Sequence, residues 1–278
     1  MIRMGTIWDR TVEVLSGRTA ILTSLAALYF FLPNVVSSAV TIFSVPEGAP
    51  GPEPTWRLIG MAVSLAVLLL LIFGMLAITA VASDPEVNQA RATAIAGRRI
   101  GAALLVVVVI MAAVAIVFLP AGVLFATSGM TMTASGQPDM ANADGGRIGM
   151  AFLLGAIGLI VGLWISARLV PLFPVVVNEG VALSAFRRSF TLTRGSTARL
   201  VGVIILYAIV TVVVLMAATM VTGAVAGLIL GPQSRVAGFI VALVSAALTA
   251  GVTVVQAVFY ARFYVAATER EGAPDPAA

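Results

Sequence analysis

The groups able to do chemistry in this 278-residue chain are few and one-sided: all 16 basic residues are arginine, and there is neither histidine nor cysteine. Arginine keeps its proton in proteins and presents a planar fork of donors, so it recognises anions and carbonyls rather than shuttling protons. The missing residue types exclude disulfides, thiolate nucleophiles, histidine metal ligands and histidine general bases. The carboxylates do not replace them. Asp84 and Glu86 read as an ordinary helix-start pair, and Asp139 and Asp144 fall in a polar loop with nothing to organise a metal. A rhomboid-like protease would need a serine with a histidine. The usual alcohol phosphatidyltransferase would need clustered aspartates around an intramembrane metal. No cofactor, no metal site and no catalytic activity is expected.

The arginines are densest in "NEGVALSAFRRSFTLTRGSTARL", Asn178 to Leu200. On a helix turning about 100° per residue, Leu183, Phe186 and Phe190 share one face and Ser184, Arg187, Thr191 and Arg194 the other. This spacing predicts a helix lying in a membrane interface, its apolar face toward acyl chains or neighbouring spans and its arginines at headgroup level. Gly195 permits a turn, and Ser196 or Thr197 is placed to cap the next span, whose free N–H groups favour an anion. Arg168, Arg187, Arg188, Arg194, Gly195, Ser196 and Arg199 are therefore the expected contacts for anionic phospholipid.

The elements that must position these groups are membrane spans. Hydrophobic residues make up 60% of the chain and charged residues 10%, with a mean hydropathy of +1.10, far too apolar for a soluble domain with one interior to fill. A bilayer core about 30 Å thick needs about 20 apolar helical residues. Six runs meet that need: Thr19 to Phe43, Leu58 to Val81, Ile100 to Phe125, Ile148 to about Val177, Leu200 to Ile229 and Val236 to Ala266. The expected fold is one all-α polytopic membrane domain over 1–278, with a disordered tail from about residue 270. Asp9 and Glu13 interrupt the charged start and the first run is span-length, so it reads as a retained anchor rather than a cleaved signal peptide.

Thirteen arginines lie in the N-terminal segment, the linkers after the second and fourth spans, and the C-terminal end, whereas the opposite loops hold only Arg57, Arg147 and Arg235. That asymmetry predicts a bacterial inner-membrane protein with both termini cytoplasmic. The sequence pI near 10.3 follows from arginine's high pKa rather than from a nucleic-acid surface. Outside, "SVPEGAPGPEPTW" (Ser44 to Trp56) reads as a stiff spacer ending in an interfacial tryptophan. The loop around Asp139 reads as a mobile surface segment, and Gly231 to Arg235 as a tight turn.

The cytoplasmic segments resemble one another. "WDRTVEVLSGRTAIL" from Trp8 aligns with "FRRSFTLTRGSTARL" from Phe186, so that Arg10 meets Arg188, Thr11 meets Ser189 and Gly17 meets Gly195; "ARATAIAGRRI" around Gly97 fits more loosely. The chain thus reads as a threefold repeat of cytoplasmic helix, outward span and return span. Two return spans also end alike, Ala167-Arg168 leading to Glu179-Gly180 and Ala261-Arg262 leading to Glu271-Gly272.

The segment "RLVPLFPVVVNEGVALSAFRRSFTLTRGSTARLVGVIIL" resembles the membrane domain of the glycerophosphoryl diester phosphodiesterase membrane-domain family. The resemblance is carried by Arg168, Pro174, Glu179, Gly180, Ala185, Arg188, Ser189, Leu192, Thr193, Arg194 and Gly195. In that family the membrane module is often joined to a soluble phosphodiesterase barrel with acidic and histidine residues around a metal. This chain has no such domain, so the resemblance implies a helical membrane module without the hydrolytic activity.

Within the spans the polar candidates are Asn34 beside Pro33, Gln256, Arg262, and Arg168 above Pro171 and Pro174. A buried intramembrane arginine is costly and should face protein or water, unless Arg168 simply marks a span boundary and snorkels. Two functions are consistent with these residues. One is a non-catalytic protein that engages anionic lipid or organises partners from the cytoplasmic face. The other is a small transporter or lipid-moving protein, with Asn34, Arg168 and Gln256 lining a polar path.

Overall fold

The computed structural model describes residues 3–44, 54–132, 138–139, 143–231 and 234–272. Most of the proline-rich spacer, part of the second outer loop and the final residues 273–278 of the expected tail lie outside the described residues. Six helices are long and apolar enough to cross a membrane, and the protein is an all-α bundle. The only strands among the described residues are Thr131–Met132 and Pro138–Asp139, paired antiparallel in the second loop.

The first short helix, α1 (Met4–Gly17), ends at Arg18. The first span follows as α2 (Thr19–Ala26), a π-helical turn at Ala27–Phe31 and α3 (Leu32–Phe43). Pro33 lacks an N–H and cannot continue a regular i to i−4 ladder, which is the setting in which a helix widens by one residue. Asn34 Nδ2 donates to Phe30 O at 2.8 Å, covering a carbonyl in the widened turn. The widened turn also sets Tyr29 and Phe30 against Gly74 of α4 (Pro54–Ser83), where an added Cβ would meet Tyr29 Cβ at 2.5 Å.

After a turn at 84–88, the next cytoplasmic segment runs into its span without a break. The helix α5 (Gln89–Ala126) begins well before the predicted span and carries Arg91, Arg98 and Arg99 in its first three turns. Asp84 and Glu86 do not start it. Asn88 is the N-cap and accepts from Arg91 N at 2.9 Å, while Asp84 Oδ1 accepts from Glu86 N at 2.8 Å in the preceding turn. Gly97 is mid-helix, so the middle copy of the expected threefold repeat lacks the break seen after α1.

The run predicted as one span from Ile148 to Val177 is divided. Helix α6 (Gly145–Arg168) stops at Arg168, and α7 (Leu172–Glu179) starts after a turn that contains Pro171. Asp144 caps α6 by accepting from Gly146 N and Arg147 N, and Gly180 ends α7 in the left-handed region at φ +73°. Helix α8 (Ser184–Leu192), a turn through Gly195 at φ +80°, α9 (Thr197–Leu230) and α10 (Arg235–Gly272) complete the chain. Helix α10 includes residues 270–272, where the expected tail begins.

The packed core is concentrated at the arginine-rich end of the bundle. The last two turns of α4 (Leu76 to Ala82), Ala92 to Val106 of α5, Val170 to Val177, and Ala257 to Ala267 of α10 interlock there, joined by Ile7 of α1 and Ala185 of α8. At the other end α4, α5, α6 and α9 turn long rows of Leu, Ile, Val and Met outward, as helices surrounded by hydrocarbon would. Glycine contributes close packing at Gly158, where a Cβ would lie 3.2 Å from Val117 and Phe118, but Gly162 faces open space.

Candidate functional site

Among the thirteen arginines at this end, Arg10, Arg18, Arg99, Arg168, Arg188 and Arg262 are committed to the protein itself. A helix leaves its last carbonyls without intrahelical donors and carries a partial negative charge there, so a guanidinium fork is a fitting cap. Arg18 performs this for α4: Nη1 donates to Val81 O at 2.6 Å and Asp84 O at 3.0 Å, and Nη2 donates to Val87 O at 2.8 Å and to Pro85 O. Arg262 adds a long contact from Nη1 to Ala82 O at 3.4 Å, and its Nε is buried without a partner. Arg99 donates to Gly180 O, also at 3.4 Å.

Arg168 is the last residue of α6 and has structural partners. Its Nη1 donates to Phe190 O at 3.1 Å at the end of α8, and its guanidinium lies 5.1 Å from the ring centre of Trp164 and 5.7 Å from that of Phe190. Ser189 Oγ donates to Arg168 O at 2.7 Å, fastening α8 to the end of α6 from the other direction. Arg168 Nε is buried and unpartnered.

Arg188 is the centre of an ion cluster. Its Nε donates to Glu179 Oε1 at 3.0 Å, while Nη1 and Nη2 donate to Glu271 Oε1 and Oε2 at 3.1 and 2.7 Å. Tyr264 OH donates to the same Glu179 oxygen at 3.2 Å. The hydrogen bond to Glu271, then that to Glu179, holds the Arg188 pKa above its ordinary value. The two similar span ends noted in the sequence therefore meet on one guanidinium. On the first short helix Arg10, the counterpart of Arg188 in the alignment, pairs with Glu269 at 3.1 Å. Thr11 and Ser189, the next aligned pair, are both fully buried.

Helix α8 turns a face of mostly small residues, not its predicted large apolar face, to the bundle. Its buried residues are Ala185, Ser189 and Leu192, whereas Phe186 and Phe190 are half-buried and Leu183 is 56% exposed. Small side chains on the inward face let α8 lie close to α7 and to the end of α10, and the large residues remain at the margin. Arg187 and Arg194 are exposed and, among the described residues, form no ion pair. Ser196 is the N-cap residue of α9 but its side chain makes no cap hydrogen bond, and Thr197 Oγ1 donates backward to Thr193 O at 3.3 Å. The expected side-chain cap is thus absent. Arg199 lines an open depression with Arg3.

The intramembrane candidates do not share one path. Gln256 Nε2 donates to Tyr260 OH at 2.7 Å, and both line a cavity of about 340 Å³ with Tyr207, Thr211 and Trp8. Neither Asn34 nor Arg168 lines it. Arg262 caps α4 as described. Among the described residues no group of three or more acidic, cysteine or histidine side chains is placed to hold a metal ion.

Sequence reasoning missed Arg18, Arg99, Tyr264, Glu269 and Glu271 as structural partners. For Glu271 a signal existed in the repeated arginine-to-glutamate pattern of the two span ends. For Arg18 none did, since its acceptors are backbone carbonyls more than 60 residues away.

The fold and these contacts define a multi-span helical membrane protein whose arginine-rich end is internally braced. No family model, no curated protein and no solved structure matches the chain.

Proposed function

We propose that this is a non-catalytic protein of a bacterial inner membrane that engages anionic lipid with its arginine-rich, cytoplasmic face. The observation that carries this reading is the contrast on and beside α8: Arg188 is consumed by Glu179 and Glu271, whereas Arg187 and Arg194 stand exposed and unpaired near the exposed Leu183. An apolar residue beside unpaired arginines is the chemistry of an interfacial helix at an anionic surface. The reading takes the segment as kin to the membrane module of the phosphodiesterase family. Many residues behind that resemblance form the brace just described: Arg168, Glu179, Gly180, Ala185, Arg188 and Ser189. Such residues serve architecture in this module, and lipid contact falls to their neighbours.

The test uses the full chain purified in neutral detergent. Each arginine near an anionic surface contributes about 1 kcal/mol, so replacing both Arg187 and Arg194 by glutamine weakens retention by about tenfold or more. Co-purifying phosphatidylglycerol and cardiolipin, quantified by mass spectrometry, should fall severalfold. Equal lipid content in variant and parent would leave these arginines as topological signals and defeat the proposal.

A further inference from the structure

A second group of arginines, outside the Arg168 to Arg199 segment, lines a cleft of about 230 Å³ between the α4–α5 connection, the start of α5 and α7. Arg91, Ile95 and Arg98 recur at helical spacing and present one face of α5 to it, and Arg99, Asp84 and Asn178 complete its polar lining. Several of these walls are fixed. Asn178 donates from Nδ2 to Ser83 Oγ at 3.1 Å and to Pro174 O at 2.8 Å, and Asp84 is held through its backbone carbonyl by Arg18. The Arg99 guanidinium is seated over Gly180, where a Cβ would come within 2.4 Å of it, so the absence of a side chain at Gly180 makes room for this arginine.

Three guanidinium groups face one carboxylate in this cleft. Among the described residues none of the three is ion-paired, with Asp84 or with any other acid. That sets them apart from Arg10 and Arg188, whose charges the fold neutralises. Like charges brought together around a concavity repel one another, and an anion between them relieves the repulsion while accepting several charge-assisted hydrogen bonds. We propose that this cleft binds a phosphate group, supplied either by the headgroup of an anionic phospholipid or by a soluble phosphate compound. Asp84 limits the affinity and tunes it. The site is separate from the Arg187 and Arg194 surface and does not depend on it.

Calorimetric titration of the full chain in neutral detergent at constant ionic strength tests the proposal. Inorganic phosphate and short-chain phosphatidylglycerol are the probes, and short-chain phosphatidylcholine is the uncharged control. Saturable binding of inorganic phosphate identifies a soluble phosphate as sufficient; binding of phosphatidylglycerol alone identifies a lipid headgroup. In either case Arg91→Gln/Arg98→Gln should weaken binding by about tenfold or more. Asp84→Asn, which keeps the acceptor for Glu86 N, should tighten it, a change that misfolding cannot imitate. The Arg187→Gln/Arg194→Gln variant should bind inorganic phosphate like the parent and keep the component of phosphatidylglycerol binding that Arg91→Gln/Arg98→Gln removes, which separates failure here from failure of the α8 reading. No saturable binding of either probe, or binding indifferent to the Arg91/Arg98 and Asp84 changes, would overturn the assignment.

Discussion

Arg188 grips both carboxylate oxygens of Glu271 across 83 residues of chain, tying the short helix α8 to the last turn of α10. A carboxylate in the last turn of a helix opposes the helix dipole, so Glu269 and Glu271 would weaken the end of α10 if left alone. Arg10 and Arg188 reverse that effect, and each thereby fastens a short helix to the same helix end. Both pairs lie at the end where the packed core gathers.

Arg188→Gln and Glu271→Gln should each lower the thermal stability of the detergent-solubilised chain, with a coupling of about 1 kcal/mol in a double-mutant cycle. The Arg188 side chain is 31% exposed, which keeps the expected value modest. Because its pKa is raised, the arginine's share of this stabilisation is present throughout the neutral range and is lost only as pH rises through that raised value. Strict additivity of the two single changes would show that the pair contributes nothing.

Arg18 caps α4 with a geometry that lysine cannot reproduce, because one ammonium cannot reach four carbonyls spread over Val81 to Val87. Arg18→Met should cost about 1.5 to 3 kcal/mol, the range for hydrogen bonds to charged groups, and Arg18→Lys should recover only part of it. Amide exchange over residues 81–87 should speed up in both variants. Full protection in the lysine variant would mean that charge alone, not the fork, holds this helix end.

Gly74 is the closest approach in the core. Gly74→Ala should cost about 1 to 3 kcal/mol, since the new methyl would have to displace the Tyr29 backbone-proximal Cβ rather than a flexible chain end. Gly97→Ala, whose Cβ would meet only Phe73 at 4.0 Å, should be neutral or slightly stabilising. Melting temperatures in one detergent decide between them, and equal behaviour of the two variants would contradict the packing described around the widened turn.

Both chain ends should be cytoplasmic, on the distribution of thirteen arginines against three. Reporter fusions after Arg3 and after Ala278 measure this. A periplasmic C-terminus would require an odd number of crossings, and the interrupted stretch Gly145–Glu179 would be the first place to look for the error.

The six long helices were legible in the sequence because span formation depends on local quantities: apolar run length against bilayer thickness, and backbone groups that must be satisfied within the segment. The glycine turn at 195 was legible for a similar local reason, since glycine adopts a left-handed φ without the steric cost a side chain would bring. The partners of the arginines were not. All 16 carry the same charge and reach, and nothing near Arg18, Arg168 or Arg188 in the chain distinguishes a helix cap, a clamp on a neighbouring helix end or an ion-cluster centre from an unpaired surface cation such as Arg187. The orientation of α8 was equally hidden: its hydrophobic pattern left Leu183, Phe186 and Phe190 to face either acyl chains or neighbouring spans, and the narrow space beside α7 and α10 admits Ala185 and Ser189 instead. Which arginines remain available to a ligand is what is left after the distant carboxylates and helix ends have taken theirs, and only the tertiary structure makes that subtraction.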